Sequence, residues 1–318
     1  MRILLWNVHG GYSDSLTSGG HEYLYLPPDA EGNGGLPRLH APVGVDAREV
    51  TPEELQDAPP DVVVLQRLEE LELCAAAGLR PGHDVPAVFL EHNTPRVDVP
   101  DSRHPLADRA DLVIVHVTHF NALFWDSGST RTAVVEHGIP DPGLRYTGER
   151  PHLAFVVNEP VRRWRNTGTD LLAHFAEHPV DAFGIDADLL PPALPQCRRL
   201  SFAGNITPAE LYEALPQRRV YLHLNRWTSL GLSLIQAMLL GLPVVVLDTT
   251  EASRAVPPEA GALSNDLDVL RREAARLLRD PDEARRRGEL ARAAALQRYG
   301  IERFVRDWDR VLEQAVEG

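Results

Sequence analysis

The sequence predicts an α/β protein with two doubly wound parallel sheets, and three observations lead to this prediction. Short apolar runs alternate with helical or loop segments along the chain, which is typical of repeated strand and helix units. A length of 318 residues is near the upper limit for a single core, so two domains are expected. Residues 220–248 read as strand, glycine turn, apolar helix, glycine stop and second strand.

The first domain is predicted to span residues 1–145. Its usual second strand would fall between Pro27 and Pro52, but Gly, Pro and charged residues dominate there, so we expect that strand to be short or lost. The strand candidates are the apolar runs at residues 3–8, 62–65, 85–90, 112–115 and 133–135.

The second domain is predicted to span residues 146–300, after a turn-rich linker at residues 138–151. Its helix at residues 232–240 is apolar on nearly every face, which predicts burial, and Gly241 with Pro243 ends it. The strand candidates are residues 153–157, 180–183, 220–224 and 244–247.

Residues 301–318 predict an amphipathic helix, because their apolar residues recur at helical spacing. Such a stripe must pack on one of the two domains. Its members are Ile301, Phe304, Val305, Trp308, Val311 and Leu312.

Composition excludes several classes of protein. A net charge of −14 argues against nucleic-acid binding, which needs a positive surface. No apolar run is long enough to span a membrane, and the start of the chain does not resemble a signal peptide, so we expect a cytoplasmic protein. Cys74 and Cys197 are isolated, which argues against both a disulfide framework and a cysteine metal site.

The segment around residues 228–245 resembles the donor-binding core of the family-4 retaining glycosyltransferases of the GT-B fold. The family's two motif glutamates are replaced here by Thr228 and Gln236. The matching residues are Ser229, Leu230, Gly231, Leu232, Ala237, Met238, Gly241, Pro243, Val244 and Val245.

This resemblance implies two Rossmann-like domains that face a cleft, with the last helix crossing back to the first domain. It implies a bacterial, metal-independent enzyme that moves a sugar with retention from a nucleoside diphosphate sugar to an acceptor hydroxyl. The uridine form of the donor is expected, with no other cofactor. The acceptor would be a small molecule, a glycan or a lipid, and the sequence does not define the oligomeric state.

The resemblance assigns roles in the first domain to a glycine pair and to a histidine. Gly19 and Gly20 follow the first strand and precede a possible helix, like the family's paired-glycine loop; a plain tight turn is the alternative. His92 follows an apolar strand where the family often carries a histidine that faces the transferred sugar. The alternative is a hydrogen-bonded structural histidine.

The diphosphate site is expected between residues 154 and 172. Arg162 lies at the family's arginine position, Thr167 at its lysine position, and Gly168 at the glycine that opens a helix. Arg163 and Arg165 would replace the missing lysine, since guanidinium groups bind phosphate oxygens in pairs. A solvated arginine patch is the alternative.

The resemblance assigns the remaining contacts with the donor to the helix at residues 232–240 and to the turn before it. Backbone N–H groups near Leu230 to Leu232 would meet the phosphates. Gln236 would bind the ribose through its carbonyl oxygen, and a buried amide bonded to backbone is the alternative. Thr228 is short and neutral, so either the sugar pocket differs or Asn225 or Arg226 makes the contact.

Two rival functions remain open. The lost glutamates and lysine favour a non-catalytic nucleotide-sugar-binding subunit that supports a partner glycosyltransferase. A sugar-nucleotide epimerase or hydrolase would need a carboxylate at the sugar, for which Glu91 and Glu159 are the candidates. Three Asp-x-Asp pairs, at residues 186–188, 266–268 and 307–309, are interpreted as polar turns or helix surface, so no metal site is predicted.

Overall fold

The computed structural model describes residues 1–26 and 45–318, which form two compact units. Unit 1 comprises residues 1–140 and 301–318, and unit 2 comprises residues 141–300. The division therefore falls at the start of the predicted linker, a few residues before the predicted boundary at 145. Within the described part of the chain, no helix combines the length and the apolar composition needed to cross a bilayer.

Each unit contains one sheet in which every pair of neighbouring strands is parallel, so the predicted α/β doubly wound fold is confirmed. The strands of unit 1 are β1 (Arg2–Leu5), β2 (Glu22–Tyr25), β3 (Asp46–Glu49), β4 (Val62–Leu65), β5 (Ala87–Glu91), β6 (Val113–His116) and β7 (Arg131–Val134). Those of unit 2 are β8 (Arg150–Val156), β9 (Val180–Phe183), β10 (Leu200–Gly204), β11 (Arg218–His223), β12 (Val244–Leu247) and β13 (Gly261–Ser264).

The helices lie between these strands and at the end of the chain. In chain order they are α1 (Gly10–Leu16), α2 (Pro52–Asp57), α3 (Glu69–Ala76), α4 (His119–Phe124), α5 (Leu190–Ala193), α6 (Pro208–Ala214), α7 (Leu232–Leu240), α8 (Ala252–Ala255), α9 (Leu267–Arg279), α10 (Pro281–Tyr299) and α11 (Ile301–Glu317).

The strand order is β3-β2-β1-β4-β5-β6-β7 in unit 1 and β10-β9-β8-β11-β12-β13 in unit 2. In both sheets the direction of winding reverses between two central strands, β1 and β4 in unit 1 and β8 and β11 in unit 2. Ligands of such sheets bind beyond the carboxyl ends of the strands at this reversal. The candidate sites of the two units are therefore expected at these reversals, one in each sheet.

The second strand of unit 1 was predicted wrongly. It was expected between Pro27 and Pro52 and expected to be short or lost, yet β2 precedes this stretch, and β3 forms inside it. Residues 27–44 of that stretch lie outside the described residues. Tyr23 and Tyr25 of β2 are buried in the core, which is why the strand is stable despite its polar first residue.

Helix α11 packs in unit 1, and its apolar stripe lies in the core of that unit. Phe304 and Trp308 are fully buried, and the Trp308 Nε1 atom donates a hydrogen bond to the Tyr12 hydroxyl over 3.1 Å. Gly138 lies directly against Phe304, where a side chain on the glycine would overlap with the ring. The amphipathic pattern of residues 301–318 is thus satisfied by unit 1.

Helix α7 of unit 2 has the bounds that the sequence predicts. Six of its nine residues are buried, and Gly241 ends it in the left-handed conformation at φ 91°. Gly288 of α10 lies against the backbone at Gly241, which lets the two helices pack closely. This packing fixes the carboxyl end of α7.

Candidate functional site

In unit 1, three residues follow directly after three neighbouring strands. Trp6 follows β1, Gln66 follows β4 and His92 follows β5, so all three lie at the carboxyl edge of the sheet beside its reversal. Gln66 is 7% exposed and bridges the other two. Its Nε2 atom donates to the Trp6 carbonyl over 2.6 Å, and its Oε1 atom lies 2.8 Å from His92 Nε2.

The His92 ring is also packed on two sides by aromatic rings. His9 and Tyr12 stand edge-on to it, at centroid distances of 4.4 and 4.9 Å. Burial lowers the pKa of His92 well below its usual value, and the nearby His9 and His137 lower it further. His92 is therefore a neutral, tightly held imidazole at physiological pH, and its role at a sugar stays a prediction.

The glycine pair of the sequence prediction lies elsewhere than expected. Gly19 ends a short 3₁₀ turn that follows α1, and Gly20 takes the left-handed conformation at φ 68° before β2. The pair thus precedes a strand instead of a helix. Gly10 and Gly11, which start α1 directly after the loop from β1, occupy the position that was expected for the pair.

Sequence reasoning missed Gly10 and Gly11 because residues 3–8 were read as strand. The strand ends at Leu5, and the loop to α1 is therefore longer than predicted. A His-Gly-Gly run just beyond an N-terminal apolar strand was the available signal.

In unit 2, the predicted arginines of the loop after β8 carry carboxylate partners. Arg162 Nε lies 2.7 Å from Glu159 Oε1, and Arg165 lies 3.2 Å from Asp170. Both guanidinium side chains are largely exposed, at 68% and 73%. Their charges are available at the surface, and a diphosphate would have to replace carboxylates that already neutralise them.

The lysine position of the family motif is structural in this chain. Thr167 is buried, and its hydroxyl bonds to the Arg163 carbonyl and to the Thr169 hydroxyl. Gly168 then takes φ 69° and precedes a 3₁₀ helix, Thr169–Phe175, where a helix was predicted. A side chain on Gly168 would overlap with the Leu224 carbonyl, so glycine lets the loop after β8 approach the end of β11.

An ion pair joins the loops that follow β8 and β11. Arg226 holds Asp170 with both terminal nitrogens, at 2.6 and 2.8 Å, and the Arg226 N–H group donates to the Asn166 carbonyl over 2.8 Å. The Asn225 carbonyl accepts a hydrogen bond from the Thr249 hydroxyl. These contacts order the carboxyl edge of the sheet at its reversal.

The turn before α7 places the remaining predicted residues. Ser229 and Leu230 are buried, while Thr228, Gly231 and Leu232 are half-buried. A Cβ on Gly231 would lie 2.7 Å from the ring of His223 at the end of β11, so the turn can approach the sheet only with glycine there. The backbone at the start of α7 is thereby held next to β11.

Gln236 lies half-buried on α7, and its Nε2 atom lies 3.2 Å from the hydroxyl of Tyr212 on α6. The contact joins two side chains, so the alternative of a buried amide bonded to backbone is not what the structure has. Because the nitrogen is engaged, the carbonyl oxygen is the atom suited to accept a ribose hydroxyl.

A cavity of about 550 Å³ lies at the carboxyl ends of β11 and β12, within unit 2. Its volume is in the range of small-molecule sites. Two of its lining residues directly precede Thr228. The lining consists of Leu171, Arg226, Trp227, Leu247, Thr249, Thr250, Asn265 and Leu267.

The candidate carboxylates for other chemistry have structural partners. Glu91 accepts hydrogen bonds from the Asn93 N–H group and from the His104 ring, and Glu159 holds Arg162. His104 Nδ1 accepts the Leu106 N–H, so its Nε2 must be the donor to Glu91. Neither carboxylate is a free base.

The Asp-x-Asp pairs also have local roles. Asp266 caps α9 by accepting from two N–H groups, and Asp307 pairs with Arg303 at 2.9 Å. Asp186 takes the left-handed conformation at φ 58° before a short 3₁₀ turn. Among residues 1–26 and 45–318, no three His, Cys, Asp or Glu side chains are grouped to hold a metal ion.

Comparisons with known proteins match this architecture. Residues 165–310 match a family model described as glycosyl transferase-like. A search of the curated proteins finds no match. Among solved structures, sucrose-phosphate synthase from Thermosynechococcus elongatus is 15% identical with a TM-score of 0.73, covering 99% of this chain and 98% of that one.

Two other solved structures superpose over nearly the full length of this chain. HepE from Anabaena, solved with UDP and glucose, is 14% identical with a TM-score of 0.72 and coverage of 99% and 100%. AviGT4, a glycosyltransferase of avilamycin A biosynthesis, is 17% identical with a TM-score of 0.65 and coverage of 100% and 98%. Together with the two parallel sheets, these likenesses show that the fold is GT-B.

Proposed function

We propose that this chain, which has the GT-B fold, transfers a sugar from a nucleoside diphosphate sugar to an acceptor hydroxyl, with retention of configuration. The observation that carries this proposal is the arrangement of two loops at the carboxyl edge of the sheet in unit 2. There the arginine-bearing loop after β8 and the turn before α7 lie together at the sheet's reversal, within or beside the segment that the family model matches.

The diphosphate binds by exchange of anionic partners. Arg162, Arg163 and Arg165 supply guanidinium groups close to Gly168, and a diphosphate presents two linked anionic groups that can take the place of the separate carboxylates of Glu159 and Asp170, which pair with two of these arginines. The leaving diphosphate gains negative charge as the bond to the sugar breaks, so these cations stabilise the transition state more than the ground state.

The other donor contacts come from α7 and the turn before it. The backbone N–H groups near Leu230 to Leu232, at the start of α7, suit the phosphates, because the N–H groups in the first turn of a helix have no partner within the helix. Gln236 accepts a ribose hydroxyl through its carbonyl oxygen. Thr228 makes a weaker contact with the sugar than the family's glutamate, and Arg226 does not replace it because it is held by Asp170.

UDP is the proposed nucleotide. The supporting observation is that HepE, whose fold this chain shares, was solved with UDP and glucose. We propose that the transfer needs no metal and no further cofactor, since the arginines supply the positive charge at the diphosphate. The acceptor binds unit 1, and His92 contacts the transferred sugar there.

A non-catalytic nucleotide-sugar-binding subunit is the second candidate. It is favoured by one observation: the groups at the family's catalytic positions are neutral or already paired, namely Thr228, Gln236 and the Arg162–Glu159 pair. Such a subunit would bind the donor and transfer nothing.

Binding and transfer measurements on the purified protein distinguish these candidates. Thermal unfolding is followed with UDP, GDP, ADP and uridine; a ligand at 100 times its Kd should stabilise the fold by about 2.7 kcal/mol. Radiolabelled UDP-sugars are then incubated with hydroxyl acceptors, and the anomeric configuration of the product is read by NMR. Stabilisation by UDP together with transfer or slow donor hydrolysis supports the enzyme. UDP binding without either reaction supports the subunit, and no stabilisation by any nucleoside diphosphate refutes both.

A further inference from the structure

The side chain amide of Gln66 has only one possible orientation. Its two ends face the Trp6 carbonyl oxygen at 2.6 Å and the His92 Nε2 atom at 2.8 Å. A carbonyl oxygen can only accept hydrogen bonds, so the end that faces Trp6 must be the amide nitrogen. The reverse orientation would place two oxygens in repulsive contact.

This orientation determines where His92 carries its proton. The Gln66 Oε1 atom can only accept, so the His92 Nε2 atom that faces it must be a donor. The ring is neutral at physiological pH because burial lowers its pKa. A neutral imidazole has one N–H group, and Nδ1 is therefore the acceptor of the ring.

Further contacts hold Gln66 and His92 in place. The Gln66 and Arg67 N–H groups donate to Glu70 Oε2 at the start of α3, over 2.5 and 3.1 Å. On the other side, the edge-on rings of His9 and Tyr12 limit rotation of His92. Residues that directly follow β1, β4 and β5 are thus bonded in series, and the Gln66 amide fixes the orientation of the His92 ring.

We propose that Gln66 is a positioning residue for His92: it holds the imidazole as the tautomer protonated at Nε2, so that Nδ1 is the ring atom that accepts a hydrogen bond from a substrate hydroxyl. The assignment of a substrate to His92 rests on the proposed function, whereas the tautomer does not. Sugars present hydroxyl donors, and an acceptor nitrogen held by a bonded amide would orient such a hydroxyl during transfer.

The tautomer is measured by NMR of the protein labelled with ¹⁵N in its histidine rings, without any ligand. The His92→Gln variant identifies the His92 signals by their disappearance. We expect a protonated Nε2 and an unprotonated Nδ1 in the parent. A protonated Nδ1 with an unprotonated Nε2 overturns the proposal, whatever the activity of the protein.

Two variants of Gln66 test its positioning role. Gln66→Met removes the acceptor, so the His92 signals should show a changed tautomer population, and kcat should fall roughly tenfold or more with little change in the donor KM. Gln66→Glu keeps an oxygen facing Nε2, and as the protonated acid it can donate to the Trp6 carbonyl in place of the amide, so it should retain the Nε2–H form and recover part of kcat. Gln56→Met is the matched control, because Gln56 Nε2 also donates to a backbone carbonyl in unit 1, that of Ala77.

The outcomes distinguish the positioning role of Gln66 from the proposed sugar transfer. If Gln66→Met folds with the tautomer of the parent, Gln66 does not position His92. If the tautomer shifts and kcat is unchanged in an active protein, the proposed contact with substrate is wrong. If the parent shows the Nε2–H form but transfers no sugar, the proposed function fails while the tautomer assignment stands. Loss of kcat in Gln56→Met to the same extent would show a general effect of destabilisation and refute the specific role.

Discussion

Gly168 lies so close to Leu224 that a side chain on the glycine would overlap with the leucine's carbonyl oxygen. The contact joins the loop after β8 to the end of β11, and Gly168 reaches it with φ 69°. Both the backbone angle and the space therefore require glycine at this position.

We expect Gly168→Ala to destabilise unit 2. A left-handed angle alone costs a non-glycine residue about 1–3 kcal/mol, and the overlap with Leu224 adds to this. Gly143→Ala is the control, because Gly143 has φ 84° in the same unit and open space around the added carbon. Denaturant unfolding should show a clearly larger loss for Gly168→Ala, together with weaker UDP binding. Equal losses would mean that the approach to Leu224 carries no energy.

The sequence predicted the parts of the fold that have strong apolar patterns. The strands β4, β9 and β12 and the helix α7 were predicted with the bounds that they have in the structure. These elements are buried on both faces, so their apolar runs are continuous and easily read.

The strands that were missed have weak local signals and depend on their neighbours. β13 begins with Gly261 and Ala262, which have low strand propensity, and a side chain on Gly261 would overlap with the Val244 carbonyl of β12. The strand exists because it pairs with β12 in this close approach. Such a requirement arises from the sheet and cannot be read from four residues.

The sequence proposed site residues only where a motif or a family position pointed to them. His92 was proposed from its position after a strand, where the resembling family often carries a histidine, and its role stays a prediction. Gln66 had no motif, because its importance comes from the order β1-β4-β5, which puts it between Trp6 and His92. Strand order, which the sequence does not specify directly, is what reveals this residue.

Arg162 is expected to bind the diphosphate and not the nucleoside. Arg162→Ala should weaken binding of UDP roughly tenfold or more, since a hydrogen bond to a charged group contributes about 1.5–3 kcal/mol, and should leave uridine binding unchanged. Isothermal calorimetry with both ligands measures the difference. Equal loss for the two ligands would contradict the assignment.

Glu159→Gln is the matched variant for this test. It removes the charge that pairs with Arg162 and keeps the size of the side chain. UDP binding should then strengthen or stay the same, because the diphosphate no longer competes with a carboxylate. Weaker binding in this variant would indicate that Glu159 orients Arg162 for the ligand instead of competing with it.

Transfer activity is expected to persist in EDTA. The positive charge at the leaving diphosphate is proposed to come from arginines, which a chelator does not affect. The rate is measured after dialysis against EDTA and again after addition of Mg²⁺ or Mn²⁺. Activity that disappears with the chelator and returns with the metal would show that the reaction depends on a cation.

Glu70 should make the stability of unit 1 depend on pH. It is 2% exposed, and burial raises its pKa from 4.5 to about 7 despite hydrogen bonds from the Gln66 and Arg67 N–H groups. Between these two values the folded state binds more protons than the unfolded state, so its contribution to stability is present below pH 4.5 and is lost as pH rises through 7.

Glu70→Gln tests this dependence, since an amide oxygen still accepts hydrogen bonds and does not ionise. The difference in unfolding free energy between variant and parent should be nearly constant below pH 4.5 and should shift in favour of the variant as pH rises to about 7. Denaturant unfolding across this range measures it. A difference that does not vary with pH would show that the carboxyl group has an ordinary pKa.

Gln236 and His92 are expected to act on different steps, so their variants should differ in kind. Gln236 lies on α7 in the proposed donor site of unit 2, whereas His92 lies at the carboxyl edge of the sheet in unit 1. Gln236→Ala should chiefly raise the donor Kd, because it removes a contact made equally in the ground state and the transition state. His92→Ala should leave the donor Kd nearly unchanged and lower kcat, the pattern of an interaction made mainly in the transition state.

Calorimetry with UDP and a radiolabelled transfer assay measure the two effects on the same protein samples. Tyr212→Phe is a useful companion to Gln236→Ala, because it removes the hydroxyl that Gln236 Nε2 contacts and leaves the amide in place. If the carbonyl oxygen of Gln236 is what binds the ribose, Tyr212→Phe should weaken UDP binding less than Gln236→Ala does. A His92→Ala variant that transfers sugar as fast as the parent would remove His92 from the reaction, and with it the reason for the amide of Gln66 to hold the ring in one tautomer.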